Sequence, residues 1–210
     1  MTRRRVVGFL VVTGISALIL LPLGRDVSAG AVDPRLTARL DKSTARAVQS
    51  EVDRARTEGL PTEPLVLKAL EGAAKGASGR KITTAVRRHA NALGVASRAL
   101  GPATTEAELV AGAGAILAGA AADSLRSLRT ARGDSSLVIP LVVISDLLAR
   151  RVPAREAEEI VVGAWRAGMS TTDLLRLREG IHRDIQDGME PSAAALRARA
   201  TTDRSGVRTK

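Results

Sequence analysis

Between Gly59 and Gly76 the chain reads GLPTEPLVLKALEGAAKG, which places Lys68, Glu71 and Lys75 three and four residues apart. On a helix these intervals bring two ammonium groups to one carboxylate. A stripe of that kind can engage a charged partner, or hold a carboxylate in a defined place. Gly72 and Gly76 mark a line along which a second backbone can approach, and Gly76 is also placed to end the helix. A glycine inside a helix costs about 1 kcal/mol relative to alanine, so something is expected to lie close to Gly72. Lys68, Glu71, Gly72, Lys75 and Gly76 are therefore read as a partner-contact or packing seam. Leu67, Leu70 and Ala74 are expected together on the opposite side.

The other chemistry-bearing residues are sparse. Glu156, Glu158 and Glu159 open a helix, where negative charge suits the dipole. Placed beside another carboxylate in a cleft, Glu71 or Glu159 would support an envelope hydrolase, the alternative to a binding role. His89 and His182 are the only histidines, and neither has a second ligand at helical spacing, so both are assigned to packing or surface. Ser78 in GASGR is not framed as a nucleophile elbow. Gly112 and Gly114 match two thirds of a dinucleotide fingerprint, but Leu117 takes the third place and no strand precedes them. Arg87, Arg88, Arg150 and Arg151 fall on helix surfaces or ends. No catalytic residue, cofactor site or metal site is assigned.

Composition narrows the function further. There is no cysteine, which removes disulfide frameworks and thiolate metal sites. Phe9 and Trp165 are the only aromatic residues. Carbohydrate and single-stranded nucleic-acid sites rely on flat stacking surfaces, and cofactor pockets are commonly aromatic-lined, so these classes are disfavoured and no nucleic-acid partner is expected. The chain carries a formal charge of +10. Setting aside Arg3, Arg4, Arg5, Arg25 and Asp26 leaves 28 basic and 21 acidic residues, a net +7. A basic surface of this size permits a third reading, adhesion to anionic lipid or polymer.

The start of the chain has the layout of a secretory signal. Arg3, Arg4 and Arg5 precede an apolar run from Val6 to Leu23, and DVSAG then supplies small residues for cleavage between Ala29 and Gly30. A periplasmic or extracellular location follows. The alternative is an inner-membrane anchor formed by residues 6–23, since about 18 apolar residues is the lower limit for a span.

Beyond Pro34 nearly every segment has helical periodicity. The pattern predicts an all-α domain over residues 30–200 with about eight helices, followed by a disordered basic tail at 201–210. One long helix is expected from Pro34 to Glu58, and a second from Thr62 with Pro64 in its first turn. A third starts near Lys81 and closes at Gly101-Pro102. The fourth opens with the capping box Thr105 and Glu108 and is expected to run on through AELVAGAGAILAGAAADSLRSL. Within it Ala107, Ala111, Ala115 and Gly119, and beside them Val110, Gly114, Ala118 and Ala122, form small-residue lines suited to close packing. Ser136–Leu148 is a buried helix, and Ala154–Ala167, Thr171–Asp187 and Ser192 to about Arg199 complete the set. Four joints share a pattern: Gly76-Ala77-Ser78, Gly168-Met169-Ser170, Gly188-Met189-Glu190, and Arg151-Val152-Pro153 with arginine in the glycine place. Glycine followed by an apolar residue ends a helix in a Schellman motif. The joints predict successive antiparallel helical hairpins, either a compact bundle or a short repeat array.

The segment Gly59-Leu60-Pro61, Pro64-Leu65, Lys68-Ala69-Leu70-Glu71-Gly72 and Lys75-Gly76 resembles one found in exported bacterial all-helical proteins of uncharacterised function. The resemblance implies an exported helical protein and brings no activity or cofactor with it. The leading expectation is a non-enzymatic interaction or structural module of the cell envelope with a protein or envelope partner.

Overall fold

The computed structural model describes residues 31–133 and 135–206. The signal segment and the Ala29–Gly30 position lie outside the described residues, as do the last four residues of the tail. The described residues form ten α-helices and no strand: α1 (Pro34–Thr37), α2 (Lys42–Thr57), α3 (Glu63–Ala74), α4 (Gly79–Leu100), α5 (Glu106–Ala118), α6 (Ala122–Ala131), α7 (Val138–Ala149), α8 (Ala154–Arg166), α9 (Thr171–Gln186) and α10 (Pro191–Gly206). No helix among them is long and apolar enough to cross a membrane. Helix α10 continues through residues 201–206, which the sequence assigned to the tail.

Two of the eight expected helices are each broken in two. The first is interrupted at Asp41, whose Oδ1 accepts from the Ser43 and Thr44 N–H groups, both at 3.0 Å, while Thr44 Oγ1 donates to Oδ2 at 2.6 Å. A side chain that satisfies the free donors of a new helix starts one there, even inside a periodic apolar pattern. The second break is at Gly119, with φ at 112°. Its neighbour Ala120 donates to Ala115 O at 2.9 Å, and α6 begins two residues later.

That second break has the same form as the predicted joints. At each, the apolar residue's N–H reaches back five residues: Ala77 to Gly72, Val152 to Leu147, Met169 to Ala164, Met189 to Asp184, and also Leu60 to Ala55 and Ala120 to Ala115. The residue before it is left-handed every time. It is glycine at 59, 76, 119, 168 and 188, and arginine only at Arg151, with φ at 66°.

Several helices two places apart in the chain lie side by side. Arg87 Nε donates to Glu51 (α4 to α2), the Ala121 N–H to Glu158 and Arg132 Nη1 to the Met169 carbonyl (α6 region to α8 region), and Ser192 Oγ to Glu156 (α10 to α8). The separations are 36, 37, 37 and 36 residues. A constant separation at two points along one pair means that α6 and α8 run parallel. Helix α5 is antiparallel to α4, since Arg88 meets Leu117 while Ala96 and Leu100 meet Gly112.

Two apolar clusters fill the interior. One gathers Leu36, Val48, Val52, Leu65, Val86 and Leu93; the other Leu125, Leu141, Ile144, Trp165, Leu174 and Ile181. They adjoin where α4 meets α5, through residues as small as Ala96, Gly112, Ala113 and Ala115. The close approach runs along Gly112, where a Cβ would stand 3.1 Å from Ala96 Cβ. Of the expected lines, the first reaches this junction through Ala115, which is fully buried, whereas in the second a Cβ on Gly114 would meet nothing within 4 Å. Glu108 pins this region. It is 3% exposed and accepts from the Thr105 N–H at 3.0 Å and the Leu137 N–H at 2.9 Å. Arg129 Nη2 is 2.9 Å away as an ion pair.

Candidate functional site

Helix α3 presents the predicted polar stripe. Lys68 Nζ donates to Glu71 Oε2 at 2.8 Å and Lys75 Nζ to Oε1 at 2.5 Å. These hydrogen bonds, Lys68 first and Lys75 second, hold the Glu71 carboxyl down at about 2. All three side chains face water, which screens such pairs and leaves them little weight in stability. Gly76 ends the helix in the left-handed region, and a Cβ there would meet nothing.

Gly72 lies against α4: a Cβ would come 2.8 Å from Ile82 Cγ1. The buried residues of α3 are Leu65, Val66 and Ala69, with Gly72 half-buried on the same side; of Leu67, Leu70 and Ala74 only Leu70 packs partly against the core. Leu67 is 53% exposed. Both sets have helical spacing, so periodicity alone does not choose between them. The contact at Gly72, which needs a residue without a side chain, sets the rotation of the helix.

The seam also contains His89, which the sequence left as packing or surface. Its ring is half-buried at the meeting of α3, α4 and α5, and neither Nδ1 nor Nε2 has a hydrogen-bond partner. Burial, followed by the positive charge of Lys68, lowers its pKa, with Glu71 opposing. Beside it is a notch of about 380 Å³ lined by Lys68, Thr84, Ala85, Arg88, His89 and Leu117. Arg88 Nη2 donates to the Leu117 carbonyl at 3.3 Å, at the end of α5. Periodicity put His89 near the apolar face of α4, but only tertiary packing brings Lys68 and Leu117 to it.

The three glutamates of α8 serve three separate contacts. Glu156 accepts from Ser192 Oγ at 2.9 Å, and Glu158 accepts from the Ala121 N–H at 2.7 Å, capping α6 from its neighbour. Glu159 is held between Arg155 and Arg199, each at 2.8 Å, and the Arg155 hydrogen bond keeps its carboxyl below the usual range against a smaller opposing effect of burial. A general acid needs the reverse shift. Among the described residues no cluster of three or more acidic or histidine side chains is placed to hold a metal ion.

The remaining residues take architectural places. Ser78 is the N-cap position of α4, and a Cβ on the following Gly79 would collide with the Thr44 hydroxyl. The sequence did not single out Gly79. Arg87 Nε pairs with Glu51 at 2.7 Å. His182 lies on α9, and Trp165 is buried beneath the Arg132 guanidinium, 4.1 Å from the ring centroid. No family model matches the chain, and no curated protein or solved structure is significantly similar to it.

Proposed function

We propose that this is an exported, non-enzymatic interaction protein of the bacterial cell envelope, a short array of antiparallel helical hairpins that holds a helical segment of a partner protein. Export rests on the Arg3–Arg5 start, the apolar run to Leu23 and the Ala29–Gly30 position. The array reading is supported by the 36- and 37-residue separations and the six repeated joints.

The observation that carries the binding role is the outward face of α5 and α7. In a chain with 26% charged residues, α5 has charges only at Glu106 and Glu108, and α7 only at Asp146. Ala107, Val110 and Gly114 on α5 and Val138, Val142 and Ser145 on α7 are all partly or fully open to solvent and uncharged. Helices without a polar face are normally enclosed, and an amphipathic helix laid in a groove is a common way to enclose one. Photocrosslinkers at Val110 and Val142 in intact cells should capture one protein species, whereas crosslinkers at Arg46 and Arg126 should not. Val110→Asp and Val142→Asp should abolish the capture. Identical adducts from both sets of positions would remove the basis of the reading.

A further inference from the structure

We propose that the notch where α3, α4 and α5 meet binds a phosphate oxyanion, with Lys68 and Arg88 at its mouth and His89 as an inner donor. Three features converge there. The notch lies among cationic side chains from two helices, Lys68 from α3, which also pairs with Glu71 at 2.8 Å, and Arg88 from α4. Arg88 spends one Nη2 hydrogen on the Leu117 carbonyl and has further guanidinium donors. Finally, both His89 nitrogens are shut away without a partner, an arrangement that ordinarily costs stability. A half-turn of the ring about Cβ–Cγ exchanges each nitrogen with a carbon position, and that motion is what the site requires to offer an N–H.

A tetrahedral oxyanion suits donors arriving from separate helices better than a planar carboxylate, which favours two parallel donors from one guanidinium. The lowered basicity of His89 is consistent with an unliganded seam, and an anion beside the ring would restore it. The site lies apart from the uncharged face of α5 and α7, so it stands or falls separately from the partner-helix reading.

The same chemistry is presented by free phosphate and by a phospholipid headgroup, and the experiment has an arm for each. In the full chain, His89 and His182 are the only histidines, so His182→Gln leaves one set of imidazole resonances to follow by NMR. Inorganic phosphate should shift the His89 signals saturably and raise its pKa by about one unit. Lys68→Gln or Arg88→Gln should weaken the effect about tenfold, with Trp165 emission unchanged to show that the fold is intact. In the second arm, flotation with phosphatidylcholine vesicles is compared with vesicles that also contain phosphatidylglycerol. Binding only to the latter, lost in Lys68→Gln, assigns the headgroup as the source. The proposal is overturned if sodium chloride at matched ionic strength reproduces the shift, or if both arms are blank.

Discussion

Gly72 packs against Ile82 so closely that a single added methyl would lie 2.8 Å from Ile82 Cγ1. Gly72→Ala sets two effects against each other. Helix propensity favours alanine by about 1 kcal/mol, and overpacking a buried isoleucine costs about 1–3 kcal/mol. The clash is with Cγ1, near the root of a side chain that is 3% exposed, so it should win. Urea denaturation should show Gly72→Ala destabilising the protein, and the same change should become stabilising in an Ile82→Ala background. A stabilised single variant would place the α3–α4 contact elsewhere.

Arg151 occupies the left-handed place that glycine fills at five equivalent joints. A left-handed residue with a Cβ costs about 1–2 kcal/mol, and glycine returns part of that gain through its looser unfolded state. Arg151→Gly should therefore raise stability by about 0.5–1 kcal/mol, and Gly168→Ala and Gly188→Ala should lower it by a similar amount. Thermal melts of the three variants provide the test, and equal signs for all three would contradict the joint geometry.

Glu108 ties the starts of α5 and α7 to Arg129. Burial pushes its pKa up, but the Leu137 and Thr105 N–H groups and Arg129 outweigh burial and hold it below 4.5. An acid with a depressed folded-state pKa contributes stability at neutral pH that is lost as pH falls through the window below about 4.5. Glu108→Gln removes the charge but keeps an acceptor, and should cost about 2–4 kcal/mol at pH 7. The loss should shrink steadily toward pH 3. A pH-independent difference would show that the carboxylate charge is not what matters.

His89 gives a second, higher pH window. Lys68 and Glu71 of α3 and Arg88 of α4 surround it, and α5 contributes the uncharged Leu117. Its folded-state pKa is lowered from 6.5, so the unfolded chain takes up the proton more readily. Stability is thus fully present above pH 6.5 and declines as pH falls below it. Denaturation between pH 7.5 and 5 should show this decline in the native chain and a flatter profile in His89→Gln. Parallel profiles would mean the ring titrates freely.

The helical class, most helix positions and four joints were legible because each depends on a short local signal, such as Gly168-Met169-Ser170. The break at Asp41 was hidden by Leu36 and Leu40, whose spacing continues the pattern of a single helix. Gly119-Ala120 carried the joint signal, but it sat inside a small-residue run that read equally well as close packing. In the seam, Lys68, Glu71 and Lys75 were readable from spacing. The rotation of α3 was not, because Leu65/Ala69/Gly72 and Leu67/Leu70/Ala74 are equally periodic and only Ile82, ten residues beyond Gly72, decides between them. His89 became interesting through neighbours at positions 68 and 117, a relationship that no local pattern encodes.

The bonds between helices two places apart in the chain span only 29 to 40 residues, and this has a mechanical consequence. Load applied to the two ends of this chain passes through a series of short-range joints rather than through one closure between distant segments. Under tension α9 and α10 can peel away while Glu51–Arg87 and the Gly72–Ile82 contact stay intact. A chain built this way would yield by a helix pair at a time, lengthening under stress before its whole interior opens.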